Sequence, residues 1–244
     1  ALLAESEGRF QALLDIMDEH GDALLAIGEK PPPDPRWDQG WFARLDAAAA
    51  YAIVRSRRPA RIIEVGSGHS TRFMVRAIAD GGLPTRLTAI DPAPKADLSG
   101  LPLEMIRRTV QTVDLSVFGE LGSGDVLFVD SSHIAMPGSD VDLLFSQILP
   151  ALPAGILVHV HDIFLPDDYP PGWYWRGYNE QQAVAALLAG GGFRPLFASH
   201  YVASRMAAAV DRSAAGRLTL PPGTPETGLW LEKTADPIGP LEVR

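Results

Sequence analysis

The sequence contains no cysteine in its 244 residues. Disulfide bonds, thiolate metal ligands and cysteine nucleophiles are therefore excluded, and the composition suits a reducing compartment. Long apolar runs are also absent, because the longest, residues 148–160, is broken by Pro150, Pro153 and Gly155 and falls short of the ~20 residues of a membrane helix. With no signal peptide in view, we expect a cytoplasmic protein without membrane spans.

Positive charge is scarce as well. The chain has 21 lysine and arginine residues against 30 aspartate and glutamate residues, a formal net charge of -9. Nucleic acids and anionic membranes attract clustered lysine and arginine, so neither is the expected partner. A small molecule fits this charge balance better.

The N-terminal part of the chain has a helical pattern that is set apart by prolines. Apolar residues recur at helical spacing over residues 2–27, and residues 30–35 (KPPPDP) cannot continue a helix. A second helix is predicted over residues 38–55. The sequence therefore predicts a helical extension over residues 1–58 and one domain over residues 59–244.

Beyond residue 60, short apolar runs alternate with helical patterns. The predicted strands cover residues 61–65, 86–90, 103–106, 125–129, 156–160, 194–201 and 227–232. Predicted helices cover residues 70–79, 140–149 and 180–188. Strands that alternate with helices favour a mainly parallel sheet covered on both faces. We predict an α/β fold that is Rossmann-like and doubly wound, with seven strands and an antiparallel edge strand.

The segment RIIEVGSGHST, residues 61–71, predicts a strand that passes through a glycine loop into a helix. Gly66 and Gly68 permit a tight turn and close approach of a ligand to the backbone. Asp91 follows the next strand, where an acid commonly binds ribose hydroxyls. Glu64 precedes the loop, and an acid there suits a cofactor with an amine and a sulfonium better than a pyrophosphate. The pattern favours S-adenosylmethionine over NAD.

Specific motifs resemble a known family. EVGSGHS at 64–70 and AID at 89–91 resemble the first two motifs of class I S-adenosylmethionine-dependent methyltransferases, with Ser70 in place of a third glycine. Further segments are similar to small-molecule O-methyltransferases of the macrocin and catechol types. These are FVDSSH at 128–133, PAGILVHVHDIFLP at 153–166, RGYNEQ at 176–181 and GLWLEK at 228–233.

The resemblance implies a set of cofactor-binding residues. It places Asp91 at the ribose hydroxyls and Asp114 near the adenine, although Asp114 can equally cap the helix that follows. Asp130 is a further cofactor candidate. The residues that it places around the methionine side are Glu64, Gly66, Ser67, Gly68 and Ser70.

Acids and histidines follow two neighbouring predicted strands. Asp130 and His133 come after one strand, and His161 and Asp162 end the next. Ligands bind outside the carboxyl ends of parallel strands, so these four residues are the catalytic candidates. A histidine can take the proton of an acceptor hydroxyl while an aspartate orients it. Alternatively, Asp130, Asp162 and His161 can hold Mg²⁺ or Mn²⁺, as acids after the same strands do in catechol-type relatives.

Residues 169–178, YPPGWYWRGY, are rich in aromatic side chains. Trp173, Tyr174 and Trp175 can stack on an aromatic or sugar substrate. They can equally cover a sheet edge or form the interface of a homo-oligomer. His159, on the same strand as His161, is expected to be a core histidine without a catalytic role.

Together these features predict transfer of a methyl group from S-adenosylmethionine to an oxygen of a small metabolite or a sugar. One alternative is an NAD-type oxidoreductase with an unusual glycine loop. The other is a non-catalytic domain that binds a cofactor or serves in assembly. The presence of Glu64 and Asp91 argues against a domain that has lost its activity, since a dead site need not keep its cofactor acids.

Overall fold

The computed structural model describes residues 2–28 and 30–239. Seven strands form one sheet in the order β3-β2-β1-β4-β5-β7-β6. The strands are β1 (Arg61–Val65), β2 (Arg86–Ile90), β3 (Glu104–Ile106), β4 (Val126–Val129), β5 (Leu157–Val160), β6 (Phe193–Ala198) and β7 (Leu229–Lys233). Helices cover both sides of the sheet, which confirms the predicted Rossmann-like α/β fold.

The helices follow the strands in the alternation that the sequence predicts. They are α1 (Glu7–Glu19), α2 (Gly21–Leu25), α3 (Arg44–Arg57), α4 (His69–Asp80), α5 (Asp140–Leu143), α6 (Leu149–Ala151), α7 (Glu180–Ala189), α8 (Ser199–Arg205) and α9 (Ala207–Arg212). A π-helical turn, Leu144–Ile148, joins α5 to α6. No helix in the described ranges is long and apolar enough to cross a membrane.

Strand β1 lies at the point where the order of the parallel strands reverses. It pairs in parallel with β2 on one side and with β4 on the other. Connections that leave β1 and β4 therefore diverge, and a crevice opens beyond their carboxyl ends. The glycine loop lies in this crevice.

The antiparallel pairing lies at one edge of the sheet, which confirms the predicted antiparallel edge. Strand β7 pairs antiparallel with both β5 and β6, and β6 forms the edge. Pro195 in β6 has no amide hydrogen to donate to a second neighbour, so this strand suits an edge. The first three residues of β7 are buried, as expected for an interior strand.

The N-terminal segment packs against the sheet domain. Phe10, Leu14 and Met17 of α1 are fully buried and belong to the same apolar core as β1 and β4. Phe10 contacts Phe197 of β6 edge to face, with 6.1 Å between the ring centroids. Burying side chains of this size contributes about 2 kcal/mol each. The boundary at residue 58 stays a prediction.

Candidate active site

The glycine loop joins the ends of three parallel strands. Gly66 has φ +81°, and a Cβ atom there would lie 1.9 Å from the carbonyl oxygen of Asp130. The amide of Gly66 donates to the carbonyl of Ile90, and the amide of Asp130 donates to the carbonyl of Val65. Only glycine satisfies both the backbone angle and the close approach of β4.

Asp91 fixes the other side of the same loop. Its Oδ2 accepts hydrogen bonds from the Ser67 amide at 2.7 Å and the Ser67 hydroxyl at 2.9 Å. Its Oδ1 accepts from the amide of Ala93 at 2.8 Å. The carboxylate therefore holds the glycine loop and the segment after β2 in one arrangement.

A cavity of about 350 Å³, here called the loop cavity, opens between these elements. Its walls include Gly66, Ser67, Asp91, Lys95, Gln111 and Asp130. Asp140 also lines it, and its carboxylate accepts from the amide and the hydroxyl of Ser132. The predicted residues Gly66, Ser67, Asp91 and Asp130 thus share one cavity.

Glu64 lies behind the loop rather than in the cavity. It is fully buried, and its two oxygens accept from the Ser70 hydroxyl at 2.5 Å and the Thr71 hydroxyl at 2.6 Å. Thr71 Oγ1 accepts in turn from the amide of Gly68 at 2.9 Å. Glu64, Gly68 and Ser70 therefore shape the first turn of α4 and support the cavity from behind.

Burial has a large effect on the acidity of Glu64. Loss of solvation raises the pKa of its carboxyl from 4.5 to about 8, although the Ser70 and Thr71 hydroxyls oppose the change. In the unfolded chain the group loses its proton near pH 4.5, whereas the folded protein retains it to about pH 8. Folded protein therefore binds more protons across this range, and the free energy of unfolding falls as pH rises.

The variant Glu64→Gln is expected to remove this pH dependence, because the amide never ionises. Between about pH 5.5 and pH 7, the wild type is expected to lose roughly 2 kcal/mol relative to the variant. Urea unfolding at both pH values measures the difference. Glu104→Gln, at an exposed position on β3, is the control and should show no such change. If the free energy of unfolding changed equally with pH in the wild type and in Glu64→Gln, burial would not raise the pKa of Glu64.

Asp114 lies outside the loop cavity, so its place near the adenine stays a prediction, while the alternative helix cap is present. Its Oδ1 accepts from the Ser116 amide at 2.9 Å and caps the 3₁₀ helix Leu115–Glu120. The side chain is exposed and lines a separate cavity. Gln111, three residues earlier, lies in the loop cavity instead. The position of Gln111 shortly after β3 is the feature of the sequence that could have identified it as a cavity residue.

The acids and His133 meet at the carboxyl ends of β4 and β5. His133 Nε2 lies 3.2 Å from Asp130 Oδ1 and 3.4 Å from Asp162 Oδ2. Its Nδ1 lies 2.8 Å from Oε2 of Glu180, which is fully buried at the start of α7. Burial alone would lower the pKa of His133, but hydrogen bonds with Asp130 and Glu180 outweigh it and raise the pKa well above 6.5. Carboxyl groups at both ring nitrogens therefore favour the imidazolium form of His133.

The backbone at this cluster is strained. His133 has φ +61° and Asp162 has φ +55°, in the left-handed region that few residues other than glycine adopt. Each such residue costs about 1 kcal/mol or more. Asn179 holds the loop after His133, since its Oδ1 accepts from the Ala135 amide at 2.6 Å. The surrounding structure therefore holds His133 and Asp162 in contact although the backbone of both is strained.

His161 lies beside the cluster, and His159 lies deeper in the sheet. His161 Nε2 is 3.2 Å from the carbonyl oxygen of Trp41 and 3.8 Å from Asp162 Oδ1. Burial would lower its pKa, but nearby carboxylates, Asp130 first among them, raise it. His159 stacks on Phe128 at 3.9 Å between ring centroids and has no hydrogen-bond partner for either nitrogen. His159 is thus a core residue, and burial holds its pKa well below 6.5.

This arrangement does not fit the predicted metal ion. His133 fills the gap between the carboxylates of Asp130 and Asp162, and His161 Nε2 is directed at a carbonyl. Over residues 2–28 and 30–239, no three histidine, aspartate or glutamate side chains are placed to share a metal. Asp130, Asp162 and His161 are therefore not arranged to share a metal ion in this structure, and the metal site stays a prediction.

A second cavity of about 430 Å³, here called the aromatic cavity, adjoins the first. Both are lined by Lys95, Asp130, Ser131 and Ser132. Side chains that line the second cavity but not the first include Trp41, His133, His161, Asp162, Trp173, Arg176 and Tyr178. The aromatic segment 169–178 thus contributes to the cavity that contains the acid and imidazole groups.

The comparisons with known proteins agree with this geometry. Residues 63–163 match the model of the family described as "Methyltransferase domain". No curated protein sequence matches the chain.

Three solved structures illustrate the similarity in fold. The SAH-bound methyltransferase PaMTH1 of Podospora anserina is 19% identical, with 91% of this chain and 88% of that chain covered and a TM-score of 0.48. Branched-chain polyamine synthase of Thermus thermophilus is 16% identical, with coverage of 93% and 68% and a TM-score of 0.48. MycE methyltransferase, in complex with Mg, SAH and mycinamycin VI, is 15% identical, with coverage of 93% and 57% and a TM-score of 0.44.

The family match spans β1 to the end of β5, with the glycine loop, Asp91, Asp130 and His133 between them. Residues 63–163 are therefore similar to the methyltransferase-domain family, and the sheet that carries them has the Rossmann-like order described above.

Proposed function

We propose that this protein transfers a methyl group from S-adenosylmethionine to an oxygen atom of a small-molecule acceptor. The observation that carries the proposal is the contact between the two cavities at Asp130. One cavity contains the glycine loop and Asp91, and the other contains the acid and imidazole groups. A cofactor and an acceptor bound in them would meet at one point.

The charges of the loop cavity support a cationic cofactor. Its wall carries the carboxylates of Asp91, Asp130 and Asp140 against the single ammonium of Lys95. The amine and sulfonium of S-adenosylmethionine are favoured by such carboxylates, whereas a pyrophosphate would be repelled. Asp91 would hold the ribose, and the backbone at Gly66 and Ser67 would lie against the methionine part. When bound, S-adenosylmethionine supplies an electrophilic methyl carbon.

The residues of the aromatic cavity would prepare the acceptor. Methyl transfer to oxygen requires an aligned hydroxyl whose proton is removed as the new bond forms. Both ring nitrogens of His133 already face carboxyl groups, so neither is directed at an acceptor hydroxyl. Asp162 lines the cavity, and we assign it to accept the hydrogen bond and then the proton of the acceptor. His161, 3.8 Å from Asp162, stabilises the ionised carboxylate before transfer.

His133 and Glu180 act as positioning residues in this scheme. The imidazolium ring of His133 holds the carboxylates of Asp130 and Asp162 at fixed separation, and Glu180 fixes the orientation of the ring. Ser131 Oγ donates to the second oxygen of Glu180 at 3.2 Å. Glu180 therefore has partners for both oxygens and keeps one orientation.

Calorimetric titration with SAH, the demethylated product of the cofactor, tests the proposal. Wild-type protein is expected to bind SAH and not NAD. Asp91→Ala should weaken SAH binding about ten- to a hundredfold, because a charged hydrogen-bond partner is lost. Asp114→Ala is the matched control, since it removes an aspartate that caps a helix outside the cavity.

Two results would overturn the proposal. Binding of NAD without binding of SAH would favour a nucleotide-dependent oxidoreductase. Binding of SAH with no methyl transfer in a mass-spectrometric screen of phenols and sugars would favour a cofactor-binding domain without catalysis.

A further inference from the structure

Two cations line the aromatic cavity without a carboxylate partner. Arg176 ends the 3₁₀ helix Pro171–Arg176, and Lys95 follows β2. Within residues 2–28 and 30–239, neither side chain lies within ion-pair distance of an acid. Arg76, by contrast, is paired with Asp34 and Asp80. In the described part of the chain, the charges of Arg176 and Lys95 are thus not balanced by a direct carboxylate contact.

The guanidinium of Arg176 is held in place by aromatic rings. Its central carbon lies 4.0 Å from the ring centroid of Trp173 and 5.4 Å from those of Trp175 and Tyr178. Stacking of this kind fixes the plane of the group and leaves its N–H edges free. Among the described residues, its Nη1 alone has a hydrogen bond, donated to the Tyr178 hydroxyl at 3.2 Å.

One nitrogen of Arg176 is buried and has no partner. Its Nε has no hydrogen-bond acceptor in the described part of the chain. An unsatisfied buried donor of a charged group is costly, so such donors are normally paired or await a ligand. Nε and Nη2 form the edge of the guanidinium that binds two oxygens of one anion. The side chain is thus prepared for a carboxylate or a phosphate.

Charge is divided across the aromatic cavity. Asp130, Asp162, His133 and His161 lie at the strand ends, whereas Arg176 lies on the aromatic segment. Lys95 stands over Trp41, with its Nζ 4.9 Å from the ring centroid. A ligand with a hydroxyl at one end and an anionic group at the other would match this division.

We propose that the acceptor carries a carboxylate or phosphate group that Arg176 binds, with Lys95 as a second cation, while the acceptor hydroxyl lies at Asp162. The inference rests on the proposed function and narrows its acceptor to anionic hydroxy compounds. The stacked rings of the aromatic segment would cover the part of the acceptor between its two ends.

Binding of matched probes to the SAH-saturated protein tests the inference. The pairs are 4-hydroxybenzoate with 4-hydroxybenzamide, and glucose 6-phosphate with glucose, each followed by ligand-observed NMR and calorimetry. In at least one pair the anionic member is expected to bind about ten- to a hundredfold more tightly, as charge-assisted hydrogen bonds allow. The pair that responds distinguishes a carboxylate on an aromatic ring from a phosphate on a sugar.

Arg176→Gln is expected to abolish the preference for the anion and to leave SAH binding unchanged. Arg194→Gln, which removes an exposed arginine paired with Glu232 at the sheet edge, should keep the preference. Equal binding of both members in both pairs, with SAH still bound, would overturn the inference and leave the proposed function intact. If the wild-type protein does not bind SAH, the proposed function is overturned instead. A preference that survives Arg176→Gln would also overturn the assignment.

Discussion

Replacing Gly66 with alanine is expected to lower the free energy of unfolding by at least about 3 kcal/mol and to abolish measurable SAH binding. The new Cβ would lie 1.9 Å from the carbonyl oxygen of Asp130. Backbone on both sides must then move, because neither atom belongs to a flexible side chain. The movement separates the ends of β1 and β4, and the loop cavity lies directly between them.

A second glycine separates the effect of the contact from that of the backbone angle. Gly124 has φ +87°, close to that of Gly66, but no atom lies within 4 Å of a Cβ placed there. Gly124→Ala should therefore cost only about 1 kcal/mol, the conformational cost alone, and should bind SAH normally. Urea unfolding and calorimetry of both variants provide the measurement. Similar losses in the two variants would show that the close approach at Gly66 does not matter.

The parts of the fold with strong local patterns could be predicted from the sequence. Strands β1 and β2 have the predicted bounds, and α7, Glu180–Ala189, extends the predicted helix by one residue. Each is a short apolar run or an apolar helical stripe between clear ends. Alternation of strand and helix then determined the parallel order around β1, because crossover connections leave few topologies open.

Elements that depend on distant contacts could not be predicted in this way. The predicted strand 194–201 continues through the apolar Tyr201, but β6 ends at Ala198 and α8 begins at Ser199. The amide of Ser199 donates to the carbonyl of Gly228, 29 residues further along the chain. No local pattern shows such a bond. The insertion of β7 between β5 and β6 likewise depends on contacts between distant segments, so no local pattern predicts it.

The candidate site shows the same division between local and distant information. The sequence identified Asp130, His133 and Asp162, because the ends of parallel strands meet at one side of a sheet. It did not show that His133 lies between the two carboxylates, which depends on the left-handed backbone of His133 and Asp162. The motif position of Asp114 did not distinguish a helix cap from a cavity residue. Arg176 and Lys95 were not among the candidates, because only the folded arrangement of distant loops shows that they line the aromatic cavity.

The interior position of His133 leads to a prediction about stability. His133→Ala is expected to lower the free energy of unfolding by about 3–5 kcal/mol, because it leaves the fully buried carboxylate of Glu180 without a cation. Urea unfolding at neutral pH provides the measurement. His200→Ala is the control, since His200 Nε2 also lies 2.8 Å from a carboxylate, that of Asp167, but this pair is partly exposed. Its loss should cost no more than about 1 kcal/mol.

A double-mutant cycle measures the interaction free energy between His133 and Glu180. Glu180 is fully buried and contacts His133 at 2.8 Å, so Glu180→Ala should also be strongly destabilising. Once one member of an ion pair is gone, removal of the other relieves a buried charge. The double variant should therefore lose about 2 kcal/mol less than the sum of the single losses. If the losses in the free energy of unfolding are additive, His133 and Glu180 contribute only by filling space. His133 would then not be a fixed imidazolium between the carboxylates of the site.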